Sequence, residues 1–223
     1  LGFAPDGIQY TTNESGDRLA VKGVTIDLLT QRATDFAGDV DTLVSIEHAI
    51  GSTGNDILRG NGFDNYLGGA EGKDTIQGGA GNDTLDGGTG NDRMLGGLGN
   101  DTYLLDSATD VVVELSKQGT DTVRTGLATY ALSANVENLI ATNATNHRFT
   151  GNGLDNLIIG GAGADTIAGG IGNDTIDGGA GIDRMLGSAG NDLFIATAGD
   201  VVIEALNAGH DTVQATGGTF VLG

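Results

Sequence analysis

Aspartate recurs every nine residues in two stretches of this 223-residue chain, and the repetition is typical of metal binding rather than of a single catalytic pair. Carboxylate and carbonyl oxygens suit Ca²⁺, which takes six to eight oxygen ligands at about 2.3–2.6 Å. The sixth position of each nine-residue unit is therefore a predicted ligand of one of several Ca²⁺ ions. These positions hold Asp56, Asn65, Asp74, Asp83, Asp92, Asp101, Asn156, Asp165, Asp174, Asp183 and Asp192.

Glycine fills the first, second and fourth positions of most of these units. Glycine reaches positive φ without steric cost, so such a turn can aim several backbone carbonyl oxygens at one point. Neutral carbonyl oxygens would then complete the coordination of an ion held by the sixth-position carboxylate. The predicted metal-binding glycines are Gly54, Gly72, Gly81, Gly90, Gly99, Gly163, Gly172, Gly181 and Gly190.

The nine-residue frame defines two arrays. The first runs without a gap over 51–104, and eleven regular units across both arrays place an apolar or aromatic residue at the eighth position. The second array is predicted over 142–195, because the degenerate unit 142–150 keeps the frame although His147 stands at its sixth position. Repetition on this scale predicts a stacked, solenoid-like fold.

The units GGAGNDTLD at 78–86 and GGIGNDTID at 169–177 follow the pattern GGxGxDxUx, in which U is apolar. The chain therefore resembles the RTX, or hemolysin-type calcium-binding, repeat family. The resemblance implies an all-β fold, a parallel β-roll or β-solenoid in two tandem arrays, in which six residues of each unit form a calcium-binding turn and three form a strand. It also implies a secreted bacterial protein that leaves the cell unfolded by type I secretion and folds in extracellular calcium.

In such a roll two units complete one coil, so turns two units apart stack about 4.8 Å from each other. The sixth-position side chains then form four columns of three: Asp56, Asp74 and Asp92; Asn65, Asp83 and Asp101; His147, Asp165 and Asp183; and Asn156, Asp174 and Asp192. Two carboxylates about 5 Å apart repel each other by roughly 3 kcal/mol at an effective dielectric constant of 20. The arrays are therefore expected to fold only with metal, and the entrance of the second array, where His147 stands in place of Asp56, is expected to bind it weakly.

The segments outside the arrays are predicted to be an N-terminal β cap at 1–50, a β connector at 105–141, and the truncated start of a further connector at 196–223. Within them the sequence predicts strand-like runs at 20–28, 102–115 and 121–125.

Acidic residues outside the sixth position have two readings. The connectors carry a repeated set of three acids: Asp110, Glu114 and Asp121, and again Asp200, Glu204 and Asp211. In one interpretation these acids form an additional oxygen-rich site. In the other they face solvent, while Val111, Val113 and Val123 turn inward. Other acidic side chains of the arrays are expected to solvate the turns or the outer face rather than to bind metal: Asp64, Asp155, Asp86 and Asp177.

Composition excludes several classes of partner. The chain has 30 acidic against 10 basic residues and a net charge of -20, whereas nucleic-acid binding needs a basic face. It has no cysteine, and therefore no thiolate zinc site or disulfide framework. No apolar run approaches the roughly 18 residues of a membrane span.

The sequence thus predicts a non-catalytic, calcium-binding module of a larger secreted protein. The three histidines are far apart in the chain, and no known catalytic motif occurs. One alternative is a calcium-dependent module that binds an acidic polysaccharide or another cell-surface ligand, as adhesins or the R-modules of mannuronan epimerases do. A weaker alternative is a fragment of an enzyme whose site lies outside the arrays.

Overall fold

The structure is a computed structural model that describes residues 7–9, 23–204, 208–217 and 221–222. All regular elements in this part of the chain are β-strands, which confirms the predicted all-β class. The chain divides into two compact units, Leu1–Gly119 and Thr120–Gly223.

The first unit contains two main sheets, which are parallel apart from two antiparallel strands at one edge of one sheet. Its strands are β1 (Gly7–Gln9), β2 (Thr25–Asp27), β3 (Arg32–Thr34), β4 (Val40–Thr42), β5 (His48–Ile50), β6 (Ile57–Arg59), β7 (Tyr66–Gly68), β8 (Glu71–Gly72), β9 (Thr75–Ala80), β10 (Thr84–Asp86), β11 (Thr89–Gly90), β12 (Arg93–Leu98), β13 (Thr102–Leu105) and β14 (Val111–Val113). One sheet has the order β1, β5, β7, β10, β13, and the other has the order β14, β12, β9, β6, β2, β3, β4. The short strands β8 and β11 pair separately.

The second unit has the same construction. Its strands are β15 (Thr122–Thr125), β16 (Thr129–Ala131), β17 (Asn138–Ala141), β18 (Arg148–Thr150), β19 (Leu157–Ile159), β20 (Thr166–Ile171), β21 (Thr175–Asp177), β22 (Arg184–Ala189), β23 (Leu193–Ala196), β24 (Val201–Ile203), β25 (Thr212–Ala215) and β26 (Val221–Leu222). The odd-numbered strands from β15 to β25 form one sheet, and the even-numbered strands from β16 to β26 form the other.

Strand register confirms that two nine-residue units make one coil. In the first unit Leu67 pairs with Leu85 and Leu85 with Tyr103, each eighteen positions along the chain. In the second unit Ile158 pairs with Ile176 in the same way. Neighbouring nine-residue units therefore lie in opposite sheets, and the fold is the predicted parallel β-roll.

Each sheet contributes a column of eighth-position side chains to the core. All twelve are fully buried: Leu58, Leu67, Ile76, Leu85, Met94, Tyr103, Phe149, Ile158, Ile167, Ile176, Met185 and Phe194. Phe149 comes from the degenerate unit 142–150 and pairs with Ile167, eighteen residues further along the chain. Full burial of one such side chain contributes about 1.5–3 kcal/mol, so the core of each coil is small.

The first connector departs from the sequence prediction. In place of a long strand over 102–115, the chain forms the short strands β13 and β14. Val112 is buried and Val111 is half exposed, which contradicts the alternative in which Val111 and Val113 turn inward. The reason is register, since Val112 pairs with Met94 and so continues the eighth-position column of its sheet. Asp110 and Glu114, which that alternative places in solvent, are buried as well. Val123 is fully buried, as predicted.

The N-terminal segment places β2 beside the first coil, parallel to β6. Strands β3 and β4 continue this sheet as antiparallel neighbours. Ile26, Leu28 and Ala33 are buried there. Of the strand-like run predicted at 20–28, residues 20–22 lie outside the described residues, and the strand itself is β2.

Candidate metal centres

Residues 169–174 show the geometry of a glycine-rich turn. Gly170 and Gly172 have φ of 116° and 124°, which L side chains rarely adopt. A Cβ on either residue would also overlap a backbone carbonyl group of the preceding coil, that of Asn152 or Leu154. Glycine is therefore required here both by the left-handed backbone and by the close approach of stacked turns.

Most of the glycines predicted to aim carbonyl oxygens share this conformation. Positive φ occurs at Gly72, Gly81, Gly90, Gly99, Gly172, Gly181 and Gly190. Gly54 and Gly163 do not have positive φ. The turn of Gly54 belongs to the first unit of its array, and the turn of Gly163 stacks on the degenerate unit, where a Cβ on Gly163 would overlap the carbonyl oxygen of Thr145. Both therefore lie where the regular stacking begins.

The sixth-position side chains form hydrogen-bonded ladders along both edges of each unit. In every step Oδ1 of an aspartate accepts the backbone N–H of the sixth residue one coil earlier. In the first unit the distances are 2.7–2.8 Å. The N–H of Asp56 donates to Asp74 and that of Asp74 to Asp92, while the N–H of Asn65 donates to Asp83 and that of Asp83 to Asp101. In the second unit the distances are again 2.7–2.8 Å. The N–H of His147 donates to Asp165 and that of Asp165 to Asp183, while the N–H of Asn156 donates to Asp174 and that of Asp174 to Asp192. The structure thus stacks these residues in the columns that the sequence predicts.

The other carboxylate oxygen, Oδ2, has no hydrogen-bond partner in the regular turns. This holds for Asp74, Asp83, Asp92, Asp165, Asp174, Asp183 and Asp192, which are all buried. Burial of an unpartnered carboxylate oxygen is costly unless a cation neutralises it. The repetition of this atom in register therefore points to a row of cation sites.

Each Oδ2 atom faces a first-position glycine. A Cβ on Gly160 would lie 2.5 Å from Oδ2 of Asp165 and 2.8 Å from the carbonyl oxygen of Gly178. A charged oxygen of one coil and a neutral oxygen of the next therefore both lie beside this glycine, where any larger side chain would clash with them. An all-oxygen donor set of this kind fits Ca²⁺. A bound ion would neutralise the buried carboxylates and draw stacked turns together.

Comparison with known families agrees with this geometry. The profile of the RTX calcium-binding nonapeptide repeat matches in four copies, at residues 50–74, 68–103, 150–185 and 186–219. These matches together cover more than half of the chain. The chain belongs to the RTX calcium-binding nonapeptide repeat family. Calcium is therefore the cofactor of its repeats.

No match was found among curated proteins. The described residues include no helix with the length and apolar character needed to cross a bilayer.

The first RTX turn of the first array differs from the regular turns. Both carboxylate oxygens of Asp56 have protein donors: Oδ1 accepts the Val24 N–H at 2.5 Å and the Ser52 hydroxyl at 2.9 Å, and Oδ2 accepts the Ser52 N–H at 2.6 Å. Similarly, Oδ1 of Asn65 accepts the Asn61 N–H at 2.8 Å. Protein donors thus take the lone pairs that a calcium ion would use in a regular RTX turn.

The second array begins with equivalent substitutions. Oδ1 of Asn156 accepts the Asn152 N–H at 2.8 Å. The Nδ1 atom of His147 lies 2.9 Å from the carbonyl oxygen of Leu127, and its ring stacks on Phe149 with centroids 4.7 Å apart. An imidazole offers no hard oxygen to calcium. At the entrances of both RTX arrays, the sixth-position side chains therefore offer fewer free oxygen ligands for calcium than they do in the interior turns.

We expect interior turns to fill with calcium before entrance turns in crystals grown at limiting calcium. The sequence alone predicts weak calcium binding only at the entrance of the second array, beside His147. The hydrogen-bond donors around Asp56 extend this expectation to the entrance of the first array. Anomalous density should be stronger between Asp74 and Asp92, and between Asp165 and Asp183, than beside Asp56 or His147. Equal occupancy at all four places would contradict the assignment.

The columns that begin at Asp56 and His147 continue beyond the three members that the sequence predicts. Oδ1 of Asp110 accepts the Asp92 N–H at 3.1 Å, and Oδ1 of Asp200 accepts the Asp183 N–H at 2.9 Å. Asp110 keeps the spacing of eighteen, whereas Asp200 comes one residue early at seventeen. The nine-residue pattern missed both because the glycines of the motif are absent around them.

The fifth positions form a second ladder on the exposed edge of the turns. The Asn82 N–H donates to Asp64 and the Asn173 N–H donates to Asp155, both at 2.7 Å. Asparagine continues this ladder where Asn100 N–H donates to Asn82 Oδ1 at 2.8 Å. These side chains thus cap outer backbone groups. The recurrence of Asn or Asp at the fifth position was the signal for this ladder in the sequence.

The ninth-position acids are also partnered by protein donors. Asp86 accepts the Tyr66 hydroxyl at 2.9 Å and the Gly88 N–H at 3.1 Å. Asp177 accepts the Gly179 N–H at 3.0 Å. Both carboxylates therefore accept a backbone N–H group at the start of the next turn and stabilise it.

Burial raises the pKa of the column carboxylates. The pKa of Asp74 rises to about 7, and that of Asp83, Asp92, Asp174 and Asp183 to about 6. Desolvation is the largest cause in every case, and the ladder N–H group opposes it. For Asp74 the neighbouring carboxylates of Asp56 and Asp92 raise the pKa further.

These pKa shifts predict that metal-free protein folds better in mild acid. Because the folded pKa values exceed the unfolded value of about 3.9, stability from protonation is present at low pH and is lost as pH rises through about 6–7. We expect circular dichroism in calcium-free buffer to show more β-structure at about pH 5 than at pH 7.5. The variant D74N/D83N, which lacks two of the titrating groups, should respond less to pH. An unchanged spectrum across this range for both proteins would contradict the prediction.

Proposed function

We propose that this chain is a non-catalytic scaffold module of a secreted bacterial protein, exported unfolded and folded by extracellular calcium. The observation that carries the proposal is the buried, unpartnered Oδ2 atom that recurs along the columns of both units. A chain that must bring such carboxylates together stays open where calcium is scarce. Export by type I secretion follows the pattern that the family implies.

The repetition of the carboxylates supports a structural role. A catalytic acid–base pair depends on two groups with different environments and different pKa values. Here the pKa values of Asp83, Asp92, Asp174 and Asp183 all rise to about 6 for the same reason. Equivalent groups in equivalent turns serve ion binding better than chemistry on one substrate.

The calcium concentration needed for folding tests the proposal. A module that folds after export should have a folding midpoint near the 10⁻⁴–10⁻³ M affinities of extracellular calcium modules, well above the roughly 10⁻⁷–10⁻⁵ M range of cytosolic sensors. Calcium titration followed by circular dichroism measures this midpoint. A submicromolar midpoint would contradict folding outside the cell.

Ligand binding is tested on the calcium-loaded protein. Calorimetric titration with uronate oligomers should give no binding heat if the module is a scaffold alone. Saturable binding would instead assign it a role in holding an acidic polysaccharide.

A further inference from the structure

Three carboxylates meet at the end of the second array, and two of them lie outside the nine-residue pattern. Asp192 is the sixth residue of the last regular turn, Glu204 follows β24, and Asp211 precedes β25. One carboxylate oxygen from each lies within 4.8 Å of the other two. Ligands on opposite sides of one Ca²⁺ are about 4.6–5.2 Å apart, so all three can reach a single ion.

Asp192 supplies an independent indication that a ligand belongs there. Its side chain is 2% exposed, and its Oδ2 atom is buried without a hydrogen-bond partner. A Cβ on Gly187 would overlap both this atom and Oε1 of Glu204. The unpartnered oxygen of Asp192 therefore points into the space that Glu204 also enters.

Glu204 and Asp211 occupy the places that a further coil would fill. In the regular turn at Gly160, the oxygen opposite the aspartate is the carbonyl of Gly178 in the next coil. At Gly187 that place is taken by Oε1 of Glu204, which accepts the Gly187 N–H at 2.7 Å.

Asp211 in turn continues the ladder, since its Oδ1 accepts the Asp192 N–H at 3.0 Å. The insertion of one residue makes this step nineteen residues long, and the repeat pattern therefore does not reveal it.

The first array shows the same use of a glutamate. A Cβ on Gly96 would overlap both Asp101 Oδ2 and Glu114 Oε1. Glu114 lies where the first-position residue of the next coil is expected, eighteen residues after Gly96. A side-chain carboxylate therefore replaces a backbone carbonyl at corresponding places in the two units.

We propose that Asp192, Glu204 and Asp211 form a calcium site that closes the second array. It differs from the nonapeptide sites because Glu204 contributes a charged oxygen where a regular turn contributes a neutral one. The greater negative charge favours Ca²⁺, and favours trivalent lanthanides still more.

The double variant E204Q/D211N tests this site. Each substitution keeps the oxygen that accepts the Gly187 or Asp192 N–H and removes only charge. The matched control D155N/D177N removes the same charge from the same unit and also keeps its acceptor oxygens. At calcium that saturates the wild type, equilibrium dialysis should show about one ion fewer per chain for E204Q/D211N and no loss for the control. Equal losses in both variants, or none in E204Q/D211N, would overturn the site.

A direct measurement does not depend on the folding of any variant. Wild-type crystals grown in calcium and exposed to limiting terbium should show an anomalous peak bounded by Asp192, Glu204 and Asp211. Peaks in the regular turns with none here would overturn this site and leave the repeat sites intact. A wild-type chain that binds no calcium in dialysis would instead remove the proposed function itself.

Discussion

Both units are expected to lose their β-structure when calcium is removed at neutral pH. The sixth-position carboxylates repel one another along each column, and the Oδ2 atoms of seven of them, such as Asp74 and Asp165, have no protein donor. The core offers little compensation, because each nine-residue unit buries one large apolar side chain, such as Leu85 or Ile176. Metal binding therefore supplies folding free energy in these arrays.

Circular dichroism and hydrodynamic radius in EDTA, and again after calcium is restored, measure this effect. We expect the strand signal to disappear reversibly and the radius to increase roughly two- to threefold, as chain dimensions do when a domain of this size unfolds. Magnesium at the same concentration should restore little structure, since it demands a rigid octahedron and retains its waters. A chain that is equally compact in EDTA would refute the prediction.

Replacement of Asp74 should raise the calcium midpoint of folding several-fold. Asp74 is the middle member of its column, with a ladder bond to the Asp56 N–H and a second ladder bond from its own N–H to Asp92. Its unpartnered Oδ2 is predicted to face calcium shared with the neighbouring turns. D74A removes both the ladder acceptor and the charged ligand.

Two controls separate these contributions in calcium titrations. D74N keeps an oxygen that can accept the Asp56 N–H but loses the charge, so its midpoint should shift nearly as far as that of D74A if metal ligation dominates. D64A removes one exposed hydrogen bond to the Asn82 N–H and should leave the midpoint within about twofold of wild type. If D74A and D64A had equal midpoints, the sixth position would not be the metal-binding position.

The fold was predictable because one physical pattern repeats in every coil. The eighth-position residues specify which side chain turns inward, and the structure buries all twelve of them. The connector was less predictable, since the three consecutive valines 111–113 have no apolar–polar alternation to show which of them faces the core. Only the pairing of Val112 with Met94 decides it, and this pairing depends on the neighbouring coil.

The same reasoning explains which parts of the candidate site were visible in the sequence. The columns follow from spacing alone, but the partners of Asp56 do not, because Val24 lies thirty-two residues away in a segment outside the frame. Asp200 and Asp211 were hard to place because steps of seventeen and nineteen residues break the period. Sequence periodicity thus reveals the regular interior of the arrays and misses the ends, where single-residue changes set the geometry.

The ladder bonds have a consequence for reading experiments on this protein. Each carboxylate accepts an N–H from the coil before it, as Asp92 does from Asp74 and Asp183 from Asp165. Replacement of one aspartate therefore frees a backbone amide seventeen to nineteen residues upstream. In hydrogen-exchange or mutational-scanning maps, the effect of a substitution will therefore be seen one coil away from the substituted residue, toward the N-terminus. The chain has a polarity that its repeating sequence conceals.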